Sequence, residues 1–284
     1  MRTAIQSSGP MGAQEALDEW PASGLESCPV CPVCGGSARH KRFEGLKDRV
    51  FFVAPGTWTL WQCEDCSAGY LDPRPNEATI GEAYKDYFTH GQALDLIGPT
   101  APRSGWRKKI GQPLRNGYLN HRFGYSLTSA SPLGMFLLPL LPGQVTAAES
   151  IVRHLPAPDR KEASLLDVGC GNGGFLIIAQ HLGYQAIGLE PDPKATLAAR
   201  AAGFEVAPNL LPGSGFAPGT FDQITLSHVV EHLHRPREAF AEMYSLLRPG
   251  GRVWISTPNL NSQGLERFGV DWRGLEPPRH LVLL

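Results

Sequence analysis

The sequence predicts an α/β fold: a doubly wound, mostly parallel sheet that follows a small cysteine-rich ribbon and a helical connecting region. Three observations support this fold class. Residues 165–175 read LLDVGCGNGGF, a buried-strand pattern that runs into a glycine-rich turn; strand and helix patterns alternate through residues 165–256; and five of the six cysteines lie within residues 28–66. Strands that alternate with helices of this length form parallel sheets covered on both faces.

The elements of the sheet can be assigned in order along the chain. The first strand ends at Asp167, and the second ends at Glu190. Apolar residues recur at helical spacing over residues 175–182, and Asp192 with Pro193 opens a second helix. A third helix is predicted at residues 239–247, and two further strands at residues 221–227 and 247–259.

The glycine-rich turn indicates a nucleotide-type cofactor at the strand-to-helix joint. Gly169, Gly171 and Gly174 satisfy the spacing G-x-G-x-x-G, which alone fits a dinucleotide equally well. Asp167 distinguishes the two ligands, because its carboxylate would repel a pyrophosphate but attract the ammonium and sulfonium groups of S-adenosylmethionine. Glu190, at the end of the second strand, is placed to bind ribose hydroxyls. The predicted cofactor contacts are Asp167, Gly169, Gly171, Gly173, Phe175, Glu190, Asp192, Asn209, Leu210 and Ser227.

These motifs together resemble the class I S-adenosylmethionine-dependent methyltransferases. The DVGCG loop, the acidic end of the second strand, the FDQI strand at residues 221–224 and the LRPGG turn at residues 247–251 occur in the order of that family. The resemblance covers about residues 165–284 and implies a Rossmann-like fold and methyl transfer. Members usually continue past the fifth strand with a helix and an antiparallel strand pair. We therefore expect a domain truncated after the fifth strand.

Two histidines follow the fourth strand, where the transferable methyl group should lie. His228 and His232 are candidate bases near neutral pH, although both could merely cap or pack the turn. With Glu231 they resemble the EVVEH motif of ubiquinone-biosynthesis O-methyltransferases, where two acids and the histidine are associated with a divalent cation; His228 replaces the first acid. The segment 271–280 resembles the family's cover over the active-site mouth. Arg279 or the third catalytic candidate, His280, would there meet the acceptor, or the segment is a plain surface loop.

The cysteines predict a zinc ribbon. Two C-x-x-C steps, Cys31 with Cys34 and Cys63 with Cys66, flank a predicted hairpin whose strands are residues 50–53 and 57–62. Cys28 could replace Cys34 as partner of Cys31, but glycines after Cys34 favour the later pair. A redox dithiol and independent core thiols are the alternatives. The pattern also resembles methyltransferases that carry such a ribbon before the catalytic domain, which implies a structural Zn²⁺.

Charge and hydropathy limit the kinds of partner that the protein could have. The formal net charge of −1 gives no global signal for nucleic acid. No acidic residue lies between Asp95 and Glu149, whereas six basic residues do, which indicates a solvated helical face or a contact for a phosphate group. Residues 133–141 are strongly apolar but too short to span a bilayer, and we expect a buried helix or lid, or alternatively a weak membrane-surface contact. With no signal peptide at residues 1–6, we expect a cytoplasmic protein.

The expected organisation has four parts, and the expected activity follows from the last. Residues 1–27 form a disordered tail, 28–76 the zinc ribbon, 77–160 the helical connecting region and 161–284 the cofactor domain, C-terminally incomplete. The predicted function is an S-adenosylmethionine-dependent methyltransferase acting on a small-molecule or glycan-linked acceptor. The alternatives are a non-catalytic cofactor-binding scaffold whose ribbon is an interaction module and an NAD-dependent oxidoreductase, which the charge of Asp167 disfavours.

Overall fold

A computed structural model describes residues 19–84 and 106–284, without the side chains of residues 106–110. Two compact units divide the chain, one made of residues 1–87 with 259–284 and one of residues 88–258. The described strands are β1 (Leu25–Glu26), β2 (Arg39–Leu46), β3 (Trp58–Cys63), β4 (Gly69–Leu71), β5 (Arg74–Pro75), β6 (Ser164–Val168), β7 (Gln185–Leu189), β8 (Glu205–Ala207), β9 (Phe221–Ser227), β10 (Leu247–Ser256) and β11 (Val282–Leu283).

The described α-helices range in length from 4 to 18 residues. The described α-helices are α1 (Trp106–Phe123), α2 (Gly134–Leu137), α3 (Pro142–Ile151), α4 (Gly174–His181), α5 (Pro193–Ala201), α6 (Pro236–Leu246) and α7 (Gln263–Phe268). Single 3₁₀ turns are found at Ala22–Gly24, Ile80–Tyr84, Leu138–Leu140, Val230–His232, Gly269–Asp271 and Arg273–Leu275.

The second unit contains the parallel sheet, with strand order β10-β9-β6-β7-β8. The predicted fold class is confirmed. From β6 the chain runs outward through β7 to β8 and then returns to place β9 on the other side of β6. The chain thus reverses its direction across the sheet between β6 and β9, and ligands of such sheets usually bind beyond the carboxyl ends of the strands at this point. The sequence did not locate β8, which has only three residues.

Two hydrophobic cores cover the faces of this sheet. Successive strand residues point to opposite faces, so Leu165 lies in one core and Leu166 in the other. The first core also receives residues of α1, α3 and α4, including Leu119, Ala148 and Ala179. Of the predicted helical connecting region, residues 77–84 and 106–160 are described; residues 85–105 lie outside the described residues.

The first unit is built on a four-stranded antiparallel sheet in the order β11-β4-β3-β2. The predicted hairpin is wrong in its first strand, which is Arg39–Leu46 rather than residues 50–53. Residues 50–54 instead turn around Asp48, whose carboxylate accepts backbone N–H hydrogen bonds from four of them. A buried acceptor for four amides outweighs the β propensity of this apolar run.

Both chain ends of the described first unit are more ordered than the sequence predicts. The expected disordered tail is wrong for residues 19–27, because Trp20 is only 6% exposed, packs edge-to-face on Trp58 and precedes β1, which pairs with β5. Residues 1–18 lie outside the described residues. Residues 259–284, expected in the cofactor domain, fall instead in this unit, where Leu260 and Leu283 share its core.

Candidate functional site

The glycine-rich loop after β6 takes a shape that only glycine adopts easily. Gly169 and Gly171 have φ angles of 67° and 56°, in the left-handed region. A Cβ atom at Gly169 would lie 2.5 Å from the Val229 side chain, so this glycine also permits a close contact. No atom lies within 4 Å of the Cβ position of Gly171. The backbone of the loop is therefore open to a ligand at Gly171.

Asp167 lies at the carboxyl end of β6 and is wholly buried. Its Oδ1 atom is ion-paired with the Arg153 guanidinium and accepts a hydrogen bond from Thr225 Oγ1 at 2.9 Å. Burial raises the pKa of the Asp167 carboxyl, while the charge of Arg153 and the Thr225 hydrogen bond act in the opposite direction. An ionised Asp167 is thus dependent on its cationic partner.

The second carboxylate oxygen of Asp167, Oδ2, indicates whether a cationic ligand fits this site. Asp167 Oδ2 is buried and has no hydrogen-bond partner among the described residues. Buried polar atoms are almost always paired, so such an atom indicates a missing donor. An ammonium group would supply that donor together with a favourable charge. This carboxylate oxygen therefore suits the ammonium group at the amino-acid end of S-adenosylmethionine.

Arg153 is the site residue that sequence reasoning missed. Its guanidinium carbon lies 3.6 Å from the centroid of the Phe175 ring, so Phe175, a predicted cofactor contact, is covered by this cation and is only 8% exposed. Arg153 and His154 have φ angles of 49° and 50°. Two consecutive non-glycine residues in the left-handed region have no sequence signature, which is why the turn could not be anticipated.

Glu190 and Gly171, two of the predicted cofactor contacts, are in contact with each other. The Glu190 carboxylate is 9% exposed and accepts hydrogen bonds from the backbone N–H of Gly171 at 2.8 Å and of Asp192 at 2.9 Å. A carboxylate oxygen is the kind of acceptor that ribose hydroxyls require. Asp192 itself caps α5 by accepting from the N–H of Lys194.

The remaining predicted cofactor contacts have ordinary local roles. Gly173 is the N-cap of α4. Asn209 is exposed, Leu210 is half-buried against the core, and Ser227 ends β9 half-buried. Nothing in their geometry assigns a ligand to them, and they stay predictions.

His228 is held by a buried carboxylate at the end of β9. Its φ is 56° and its side chain is 64% exposed, and its Nδ1 atom lies 3.1 Å from Glu231 Oε1. Glu231 is wholly buried, and its other oxygen accepts from Thr257 Oγ1 at 2.9 Å. Thr257 thus fixes Glu231, and Glu231 orients the imidazole. His232, in the Val230–His232 turn, is half-buried.

In the first unit, the four predicted metal ligands form one cluster. The Cys31 and Cys66 sulfurs are 3.6 Å apart, as are those of Cys34 and Cys63, and all four lie within 4.8 Å of one another. Thiolates around a tetrahedral Zn²⁺ at about 2.3 Å stand roughly 3.8 Å apart, so the cluster fits the ion. Cys28 is outside the cluster, and its thiol lies 3.4 Å from the Val30 carbonyl oxygen.

The C-terminal residues expected near the acceptor are buried. Arg279 is 0% exposed, with ion pairs to Asp48 and Glu276 and its guanidinium over the Phe51 ring. The expectation that Arg279 contacts an acceptor is wrong, since its donors serve this buried network. His280 is 6% exposed, and its Nδ1 atom lies 2.8 Å from the Gly274 carbonyl oxygen.

Comparison with known proteins gives a match over part of the chain. Residues 144–283 match a family described as a methyltransferase domain. An uncharacterized methyltransferase of Mycolicibacterium gilvum is 29% identical over 142 residues, 46% of this chain and 56% of that protein. A ubiquinone biosynthesis O-methyltransferase of Thiobacillus denitrificans is 33% identical over 106 residues, 35% of this chain and 46% of that protein.

Among solved structures, a SAM-dependent methyltransferase from Archaeoglobus fulgidus aligns with a TM-score of 0.36 and 22% identity, over 54% of this chain and 63% of that one. The chain spans about half the length of the curated relatives it matches.

Proposed function

We propose that this chain, whose residues 144–283 belong to the class I S-adenosylmethionine-dependent methyltransferases, transfers a methyl group from S-adenosylmethionine to a small-molecule or glycan-linked acceptor. The observation that carries the proposal is the pair of acids at the ends of adjacent strands: Asp167 with an unsatisfied buried oxygen, and Glu190 braced by the loop. When bound, the cofactor supplies an electrophilic methyl carbon on a sulfonium.

Three side chains would hold the cofactor. Asp167 accepts from the ammonium group through Oδ2, and Arg153 keeps that carboxylate ionised and oriented. Glu190 accepts from ribose hydroxyls while backbone N–H groups hold it in place. Because all three are rigidly partnered before binding, little of the binding free energy is spent on ordering them.

His228 would act on the acceptor. A hydroxyl is a weak nucleophile until its proton is removed as the new bond forms, and the exposed imidazole at the end of β9 is placed to accept that proton. Nδ1 lies 3.1 Å from Glu231 Oε1, so the carboxylate stabilises the imidazolium that forms when the imidazole takes up the proton.

We infer that the acceptor atom is an oxygen. An oriented histidine base suits a hydroxyl, whose proton must leave, better than an amine that is already nucleophilic when neutral. The relative from Thiobacillus denitrificans, named as an O-methyltransferase, is consistent with this choice. Carbohydrate hydroxyls and phenols both meet the requirement.

The test combines binding and turnover. Calorimetry should detect S-adenosylmethionine binding, and mass spectrometry of small-molecule and glycan extracts, incubated with protein and isotopically labelled methyl donor, should reveal a labelled product. Binding with no product in any extract would favour a non-catalytic scaffold. Binding of NADH instead would overturn the proposal.

A further inference from the structure

An apolar surface lies on the second unit where α2 joins α3. Five large apolar side chains within residues 133–141 are between 44% and 73% exposed. We call this set the apolar face; its members are Leu133, Phe136, Leu137, Leu140 and Leu141. Single exposed leucines are ordinary, but five within nine residues form a continuous patch of a kind that soluble surfaces rarely carry without use.

The residues of the apolar face recur at the spacing of the apolar side of an amphipathic helix, but here that side is exposed. Its members recur at intervals of three, one, three and one residues, which places them on one side of the helical backbone of α2 and the Leu138–Leu140 turn. The opposite side is buried through Gly134 and Leu138. In an ordinary surface helix the apolar side faces the core; here an equally apolar side faces away from it.

This orientation is enforced by close packing on α1. A Cβ atom at Gly134 would lie 1.9 Å from the Leu114 carbonyl oxygen, and one at Gly117 would lie 1.8 Å from the Ser131 carbonyl oxygen. The backbone of Ser131 also donates a hydrogen bond to the Pro113 carbonyl oxygen at 2.8 Å. The segment therefore cannot rotate to bury the apolar face without breaking these contacts.

The charge around the apolar face favours an anionic occupant. The 53 positions between Asp95 and Glu149 contain no acidic residue, and α1 carries Arg115 and Arg122 among its described side chains. Arg122 Nε lies 3.6 Å from Glu149 Oε1, and the Arg122 side chain is 59% exposed. Helix α1 packs against the segment that carries the apolar face, and basic residues combined with exposed apolar side chains are the composition of segments that lie in the interface of anionic membranes. No helix in the described ranges is long and apolar enough to cross a bilayer, so a contact of this kind is confined to the surface.

We propose that the apolar face docks on an anionic phospholipid surface. Its aromatic and aliphatic side chains enter the boundary between headgroups and acyl chains, while Arg115 and Arg122 contact lipid phosphates. The cofactor residues share a unit with this face, and Leu138 packs in the same core as Phe175. Docking therefore holds the unit that contains the methyl-transfer site at the membrane.

The experiment measures co-sedimentation of the full chain with vesicles of phosphatidylcholine, with and without phosphatidylglycerol. We expect binding to the anionic vesicles that weakens with salt. The double variant Phe136→Ser/Leu140→Ser should reduce the partition coefficient at least about tenfold, since each side chain removes apolar burial worth more than one factor of ten when complete. The double variant Arg115→Gln/Arg122→Gln should lose part of the preference for anionic over neutral vesicles.

A matched control is Leu197→Ser on α5, whose side chain is 66% exposed in the same unit and lies outside the apolar face. It should bind vesicles like the parent. Unchanged circular dichroism and an unchanged thermal midpoint for Phe136→Ser/Leu140→Ser exclude misfolding as the cause of a loss. Slower hydrogen exchange of the amides of residues 133–141 on vesicles locates the contact.

Three outcomes overturn the proposal. The first is no binding to anionic vesicles. The second is binding that Phe136→Ser/Leu140→Ser leaves unchanged. The third is a concentration-dependent dimer, seen by sedimentation velocity, that this variant abolishes while vesicles bind neither protein; a second copy of the chain would then be the occupant.

Discussion

Arg153 and Asp167 form an ion pair whose carboxylate is wholly buried and whose guanidinium is stacked on the Phe175 ring. The pair joins the left-handed turn after α3 to the carboxyl end of β6, beside the cofactor loop. A buried charge is tolerated only while its partner remains. The integrity of this pair therefore governs both the stability of the second unit and the charge presented to the cofactor.

Replacing Arg153 by Met should destabilise the second unit by about 3–5 kcal/mol near neutral pH, because Asp167 is left buried without its cation. The loss should shrink as the pH falls. Burial already raises the pKa of Asp167, and removal of Arg153 raises it further, so the folded state holds a proton that the unfolded state has released. In that window stability decreases with rising pH. Denaturant unfolding at several pH values measures how the free energy of unfolding of Arg153→Met depends on pH.

The double variant Arg153→Met/Asp167→Asn is the matched control for this prediction. With no charge left to bury, it should recover most of the lost stability and show little dependence on pH. Equal stability of Arg153→Met and the parent across the pH range would mean that the ion pair is not formed in solution.

The Asp48→Asn variant tests the buried network of the first unit. Burial opposes ionisation of Asp48, but hydrogen bonds from Arg279 and from backbone N–H groups outweigh it and hold the pKa of this carboxyl well below its ordinary value. A depressed pKa stabilises the fold above the unfolded-state pKa of about 3.9, and the contribution is lost as the pH falls below it. We expect a loss of about 3 kcal/mol at neutral pH that diminishes below about pH 4.

A surface pair in the same unit provides the comparison. Asp271 is ion-paired with Arg49, but the two side chains are 63% and 50% exposed. Asp271→Asn should therefore cost less than about 1 kcal/mol at any pH. Unfolding followed by tryptophan fluorescence, to which Trp20 and Trp58 contribute, compares the two variants. A larger loss for Asp271→Asn than for Asp48→Asn would contradict the assigned network.

Glu190→Gln should weaken S-adenosylmethionine binding about ten- to a hundredfold, since charge-assisted hydrogen bonds contribute about 1.5–3 kcal/mol each and the amide cannot accept from all the present donors. Calorimetry measures the dissociation constant. Glu205→Gln, an exposed glutamate on β8, is the control and should bind as the parent does. A parent-like affinity for Glu190→Gln would place the ribose elsewhere.

The sheet and the acidic strand ends were predictable because their signals are local. Asp167 and Glu190 each follow a short apolar run, and parallel packing brings the carboxyl ends of such strands to one edge of the sheet. The short strand β8 carries too few residues for a pattern. Its position follows from pairing with β7, which is a tertiary property.

The missed features depend on contacts between distant residues. Arg279 hydrogen-bonds to Asp48 across 231 positions, so nothing local marks either as part of a network. The same network explains the misplaced first strand, because residues 50–54 donate their backbone N–H groups to Asp48 rather than to a neighbouring strand. In residues 50–54, hydrogen bonds to one buried carboxylate determine the backbone conformation more strongly than the apolar composition does.

From the cysteine cluster we predict that each chain binds one Zn²⁺ ion and that this ion is structural. Replacing Cys34 by Ser should release the ion and unfold the ribbon, since structural zinc contributes on the order of 10 kcal/mol at neutral pH. Metal analysis after dialysis against EDTA, with circular dichroism, measures both effects. Cys28→Ser is the matched control, because the Cys28 sulfur is outside the cluster. Loss of metal from Cys28→Ser but not from Cys34→Ser would assign the first knuckle to Cys28 and Cys31.

His228 is predicted to act as the base, positioned by Glu231. With cofactor bound beforehand and an acceptor in hand, His228→Gln should slow a single turnover about 10²–10⁴-fold, the usual contribution of a positioned base. Its binding of S-adenosylmethionine should be unchanged.

Glu231→Gln separates positioning from general packing. Glu231 is buried between His228 and Thr257, so the amide keeps the shape but removes the charge that stabilises the imidazolium. With His228 as the base, Glu231→Gln should therefore slow a single turnover without changing the dissociation constant of S-adenosylmethionine. A His228→Gln rate within a factor of a few of the parent would reject the base role and leave proximity to account for catalysis.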